Sequence, residues 1–284
     1  MAENTIEDKR YKRLPTQDEL KNMKRDLTFY PVQDDNPEAL TQGQIAQYNA
    51  SGYVTGIAIY SGEEIAEIRS GVDELIASAL VKGQSSYSII SAHLKSGLVH
   101  DIMNDSRIVR CVRDILGDDV VAWGSHFFCK LPRDPKIVAW HQDASYWPLS
   151  PSRTVTAWLA IDDADSENAC MRFIAGSHRQ GHIDYRPSED GEHNVLNQTV
   201  DDAARFGEPV DATLKAGQVS LHSDLLLHGS EANRSDRRRC GLTLRYCAAE
   251  VRAEIGWNAE SVLISGSDPG GHWANNPRPE ADNI

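Results

Sequence analysis

VVAWGSHFFC, residues 120–129, is an uncharged run of ten residues rich in valine, aromatic and small side chains, and its reading sets the fold. Such runs are the composition of a half- or fully buried β-strand. Downstream it has companions: IVAWH (137–141), TVTAWLAI (154–161), CMRFI (170–174), QVSLH (218–222) and LTLRYCA (242–248), separated by stretches containing Gly, Pro, Asp and Ser. Several short strands punctuated in this way point to an all-β sandwich or barrel core.

Upstream the period changes from two to about 3.6. Residues 36–48 carry a weak helical stripe (Leu40, Ile45, Ala46), and a short strand is expected over 53–60. Ser61 precedes Glu63 and Glu64, a helix N-cap with acids in its first turn. The following helix runs to about Val81 on Ile65, Ile68, Val72, Leu75 and Ile76 and ends at Gly83. Another helix is predicted over 107–116, stopping at Gly117. The expected fold class is therefore mainly β with flanking α-helices. Residues 1–35 read as a polar N-terminal arm and 36–284 as a single domain. The stretch 181–211 is polar and aperiodic, too long for a plain connection, and is expected to be a lid or insert.

Charge narrows the function. A net charge of -13 disfavours nucleic acid, which is bound through an excess of Lys and Arg. The five cysteines are odd in number, irregularly spaced and without a CxxC, the pattern of reduced thiols in a cytoplasmic protein. No apolar leader opens the sequence and no run approaches a membrane span, so no membrane association is expected.

The chemistry centres on Trp140-His141-Gln142-Asp143. On an extended chain residues i and i+2 share a face, so His141 and Asp143 can present an imidazole and a carboxylate to one point. The third ligand comes from elsewhere, and His228, after three leucines and before Gly229 and Ser230, is the candidate. Two histidines and one carboxylate leave three positions open on an octahedral metal, the ligand set of non-haem iron(II) oxygenases. Two open positions suit a bidentate 2-oxo acid and the third suits O2. An HxD pattern alone is equally a surface His–Asp pair; His228 and its Ser and Arg neighbours shift the balance.

These motifs resemble the phytanoyl-CoA dioxygenase family. The resemblance runs through WHQDASYWP (140–148), TAWLAID (156–162), RFIAGSH (172–178), His228-Gly229-Ser230, Arg239, and Arg245-Tyr246, with LTQGQI (40–45) and Gly52-Tyr53-Val54 ahead of them. It implies a double-stranded β-helix (jelly-roll, cupin-like) core that uses Fe(II), 2-oxoglutarate and O2. It implies a dioxygenase that oxidises a C–H bond of a small-molecule metabolite and releases succinate and CO2. The resemblance makes His141, Asp143 and His228 the metal ligands and Arg239 the anchor of the distal 2-oxoglutarate carboxylate, a task that suits a guanidinium fork. Ser230, Trp158 and His126 fall at co-substrate contacts, with Arg245 as a second candidate anchor. Tyr146 and Trp147 either wall the substrate pocket or pack as ordinary aromatics. His222 either lines the site or hydrogen-bonds within the core, the second being favoured. Because Asp143 is a carboxylate, hydroxylation, desaturation or ring formation is favoured over halogenation. A metal-dependent isomerase or hydrolase, or a non-catalytic ligand-binding jelly roll, is the competing reading. The aromatic neighbours and acidic surface suggest a neutral or cationic small molecule, acted on by a monomer or homodimer.

Overall fold

The computed structural model describes residues 15–87 and 89–282, so the first fourteen residues of the expected arm lie outside the described residues. The α-helices are α1 (Gln17–Asn22), α2 (Gln42–Ser51), α3 (Gly62–Val81), α4 (Gly97–Met103) and α5 (Ser106–Leu116). The strands are β1 (Tyr53–Ala58), β2 (Val120–Lys130), β3 (Val138–His141), β4 (Leu149–Ser150), β5 (Thr154–Ala160), β6 (Met171–Ile174), β7 (Arg186–Pro187), β8 (Gln198–Thr199), β9 (Pro209–Ala212), β10 (Gln218–Ser223), β11 (His228–Ser230), β12 (Arg239–Ala248), β13 (Arg252–Ala253) and β14 (Val262–Ser265).

Local signals explain the helix starts. Thr16 with Glu19, Thr41 with Gln44 and Ser61 with Glu64 each form a reciprocal capping box. The Thr41 box starts α2 six residues later than the expected Asn36. Ahead of it the backbone N–H groups of Glu38, Ala39 and Leu40 donate instead to the buried carboxylate of Asp114 on α5.

Six strands form a major sheet in the order β1-β10-β5-β12-β2-β14, and four form a minor sheet in the order β3-β11-β6-β9. The pairings in both are antiparallel. The strand period then sorts side chains between two faces. On β5, Val155, Ala157 and Leu159 join the core with α3, α4 and α5, as do Val219 and Leu221 of β10 and Leu242, Leu244 and Tyr246 of β12. The alternate residues turn inward. Trp158 and Ala160 pack with Met171 and Phe173 of the minor sheet. This two-sheet jelly roll is the expected fold class.

Register places the inward residues in rows. His222, Thr156, Arg245 and Gly124 are successive neighbours across the major sheet, and Ser220, Trp158, Thr243 and His126 form the next row. A bulge in β2 at the Arg245/Tyr246 step inserts Trp123, which switches the face of the strand beyond it. β12 begins at Arg239, three residues ahead of the expected Leu242, because Arg239, Cys240 and Gly241 pair with Lys130, Cys129 and Phe128.

Two further segments frame the site. The stretch 181–211 holds the β7–β8 ribbon and most of β9. It is tied alongside β3 through Val195 N–H to Ile137 O and Val200 N–H to Trp140 O. The described part of the arm is also attached: Leu20 of α1 is buried, and Arg25 donates to the carbonyls of Ala144 and Trp147. Among the described residues no helix is long and apolar enough to cross a membrane, and all five cysteines are buried free thiols.

Candidate metal centre

Residue His228 of β11 lies directly opposite His141 of β3. Opposed residues of antiparallel strands project to the same face, and the two imidazole centroids are 4.1 Å apart. Gly229 between the two lining residues has a steric reason: a Cβ there would meet the Val138 carbonyl oxygen at 2.7 Å. β3 ends at His141, and Asp143 opens a short 3-10 turn instead of continuing the strand. The i, i+2 argument therefore delivers the right neighbours by a different local path. Gln142 fixes that path: its buried amide donates to Gly181 O and Leu225 O and accepts from Ile183 N–H.

One ligand atom each from His141, Asp143 and His228 lies within 4.8 Å of the others, and all three residues are buried. Asp143 Oδ1 is 3.7 Å from His141 Nε2 and 3.9 Å from His228 Nε2. Its other oxygen, Oδ2, accepts from the Thr156 hydroxyl at 3.2 Å. Both ligand rings are oriented from behind: Nδ1 of His141 lies 2.8 Å from Ala139 O, and Nδ1 of His228 lies 3.0 Å from Leu226 O. An Nδ1–H donated to a carbonyl leaves Nε2 as the lone-pair donor, the tautomer a metal requires. Burial pushes His228 well below its usual pKa, with His141 adding to the shift. Burial alone raises Asp143, but His141, His228 and Arg245 outweigh it and hold the carboxylate ionised. The donor set, its protonation and its second layer of hydrogen bonds all fit a divalent 2-His-1-carboxylate metal.

The cavity continues from this cluster past Thr156, Trp158, Met171, Ser230 and Thr243 to Arg239. Arg239 is 1% exposed. It donates to Ala169 O, Phe128 O and Ser230 Oγ, and its guanidinium lies 5.6 Å from the Trp158 ring centroid. Among the described residues no carboxylate pairs with it, although its neighbour Arg238 pairs with both Asp162 and Asp73. The Trp158 ring lies over Gly241, where any Cβ would sit 1.9 Å from ring carbon Cζ2.

Some expected residues fall elsewhere. His126 faces an outer cleft of about 710 Å³, with Nε2 2.7 Å from Tyr87 O. Tyr146 and Trp147 line the same cleft, which reaches His141 and Asp143 at its floor. Tyr146 meets His141 edge-on at 5.8 Å, and Trp147 packs edge-on against Trp123 at 4.5 Å. His222, expected in the core, belongs to the site: its Nε2 is 3.9 Å from Asp143 Oδ2. Thr156 was not singled out from the sequence. Its signal is the inward parity it shares with Trp158 two residues later.

Residues 48–241 match the family model described as Phytanoyl-CoA dioxygenase (PhyH). A protein described as a probable alpha-ketoglutarate-dependent hypophosphite dioxygenase of Stutzerimonas stutzeri is 28% identical over 245 residues, covering 78% of this chain and 85% of the relative. Among solved structures, the non-heme monooxygenase ThoJ in its apo form superposes with a TM-score of 0.69 at 25% identity, covering 84% of this chain and 88% of that one. EctD from S. alaskensis, with 2-oxoglutarate and 5-hydroxyectoine, gives a TM-score of 0.68 at 21% identity over 91% of this chain and 92% of the other. With the match spanning more than half of the sequence, the chain belongs to the phytanoyl-CoA dioxygenase family of Fe(II)- and 2-oxoglutarate-dependent oxygenases.

Proposed function

We propose that the protein hydroxylates, or otherwise oxidises, a C–H bond of a small molecule, with 2-oxoglutarate and O2 as co-substrates and succinate and CO2 as products. The observation that carries this reading is Arg239, a buried guanidinium with no carboxylate partner among the described residues, in one cavity with the His141–Asp143–His228 cluster. A buried cation without a counter-charge costs several kcal/mol, roughly the scale of an unpaired buried ion. A bound dicarboxylate supplies that counter-charge. A hydrolase or isomerase working through metal-bound water has no use for it.

His141 and His228, through Nε2, and Asp143, through Oδ1, would hold the iron. Iron supplies the oxygen chemistry and the oxidative decarboxylation of 2-oxoglutarate when bound. Thr156 donates to Oδ2 and would leave Oδ1 free to meet the metal. Arg239 and Ser230 hold the distal carboxylate, and Trp158 forms the wall between that end and the metal cluster. Substrate enters by the cleft, between Tyr146 and Trp147 on one side and the 181–211 segment, through Val195 to Gln198, on the other. The cleft's volume is in the usual range for small-molecule sites. Buried free thiols throughout support a reducing, cytoplasmic setting.

The test is anaerobic addition of Fe(II) and then 2-oxoglutarate to metal-free protein. A weak visible metal-to-ligand charge-transfer band that requires both additions supports the reading. Iron binding without that band removes 2-oxoglutarate from it.

A further inference from the structure

Arg245 is a second guanidinium in the cavity that holds Arg239. It projects from β12 into the row formed with Thr156 and His222, beside the metal cluster, and lines both the inner cavity and the cleft. Its Cζ lies 5.6 Å from the Trp123 ring centroid and 5.2 Å from that of Trp147. Its Nε is enclosed without a hydrogen-bond partner. Among the described residues no carboxylate lies within ion-pair distance of it: Asp143, whose charge acts on it across the cluster, sits against His141, His222 and His228. Scarcity of acids does not explain this: the chain has 42 Asp and Glu against 29 Lys and Arg. Arg107, Arg186 and Arg238 each pair with two carboxylates.

Two aromatic rings hold the Arg245 guanidinium in place. A fixed, partly buried cation facing a cleft is an anion site awaiting its anion. It is set apart from Arg239 along the strand. Arg239 and Arg245 are six residues apart on one strand, about 20 Å of extended chain. The Trp158–Thr243 row lies between them, so no single carboxylate bridges both. Around the mouth stand Gln198, whose Oε1 has no partner, and the Tyr146 ring.

We propose that Arg245 binds an acidic group of the substrate, so that the substrate class is a small carboxylic or phosphonic acid lodged in the cleft against Trp147. This rests on the oxygenase reading for its purpose, and it revises the expectation of a neutral or cationic substrate. The net negative charge is a property of the whole chain, whereas the cleft reaches an arginine with no carboxylate at ion-pair distance among the described residues.

The experiment is a low-salt titration of butyrate, butyramide and methylphosphonate, followed by tryptophan emission, because Trp123 and Trp147 flank the site. It is run first on metal-free protein, then anaerobically on protein loaded with Fe(II) and 2-oxoglutarate. In the wild type, butyrate or methylphosphonate binds at least about tenfold more tightly than butyramide, the worth of one charge-assisted hydrogen bond. Which acid prevails names the head group. Arg245→Gln removes the advantage, and Arg245→Lys keeps part of it, which separates charge from folding. The proposal is overturned if the acids bind no better than the amide, if Arg245→Gln leaves the difference intact, or if that change weakens 2-oxoglutarate and spares the acids. The metal-free titration needs neither iron nor co-substrate, so loss of the visible band counts against the oxygenase reading and leaves this result standing.

Discussion

Replacing Arg239 with methionine removes the guanidinium and keeps much of the side-chain length. Arg239 places Nη2 on Ser230 Oγ at 3.2 Å and has no acidic partner among the described residues. A bound carboxylate therefore gains charge-assisted hydrogen bonds without displacing a competing acid. Two such bonds at about 1.5–3 kcal/mol each, partly offset by ordering, contribute about 3–4 kcal/mol. That corresponds to a Kd for 2-oxoglutarate weaker by roughly 150- to 700-fold. Thermal unfolding of the metal-loaded, oxygen-free protein reads this directly. At 2-oxoglutarate one hundred times the wild-type Kd, the wild type gains about 2.7 kcal/mol, and a variant weakened about 300-fold gains under about 0.2 kcal/mol. For a chain of this size the wild-type gain raises Tm by about 5–10 °C, and the variant's by less than about 1 °C. Metal binding without 2-oxoglutarate stays near wild type, because the ligand cluster is untouched. An Arg239→Met protein that binds 2-oxoglutarate within about threefold of wild type would refute the assignment, since that is less than one charge-assisted bond.

Three other outcomes follow from separate features. Thr156→Val frees Asp143 Oδ2 and is expected to weaken Fe(II) or Co(II) affinity about 10- to 100-fold, measured by chelator competition; unchanged affinity would show that Thr156 only packs. Gly241→Ala drives a methyl into the Trp158 ring and is expected to cost about 1–3 kcal/mol in denaturant unfolding, together with a loss of 2-oxoglutarate binding. His178 lies edge-on to Phe29 at 4.3 Å, and burial lowers its pKa to about 4. A lowered imidazole pKa means that the unfolded chain binds more protons between pH 6.5 and 4, so this contribution is complete above pH 6.5 and is lost as pH falls. It amounts to roughly 3 kcal/mol at most. The Tm of His178→Gln should fall less steeply than that of wild type over this interval, and parallel curves would contradict the assignment.

How much of this was legible in the sequence depends on the range of the interaction. Period and capping are local. The strand runs at 120–129 and 154–161, the Ser61 cap and the stop of α5 at Gly117 are therefore found within a residue or two of their places. The clustering of His141, Asp143 and His228 was legible because the HxD and the distant His stand in the order of a family pattern, which is far more specific than HxD alone. α4 was missed, and the start of α2 was misjudged; the latter is because the chain ahead of Thr41 is fixed by Asp114 more than seventy residues away. β9 was hidden in the polar 181–211 stretch because an edge strand needs only a partner, here β6, and not an apolar face.

The sequence by itself determined the class of fold, the ligand types and the presence of an arginine suited to a dicarboxylate. Among Arg237, Arg238 and Arg239 the family resemblance singled out Arg239, and register supplies a physical reason for that choice. Arg237 and Arg238 pair with acids, while pairing of Arg239 with Lys130 brings it into the strand with an inward side chain. Register likewise set Thr156, His222 and Arg245 in one row beside Asp143, although 89 residues separate the first from the last. Such neighbours arise from cross-strand hydrogen bonding between segments distant in the chain. No local pattern of apolar and polar residues records that, so only the tertiary structure brought a second guanidinium into the cavity of the metal cluster.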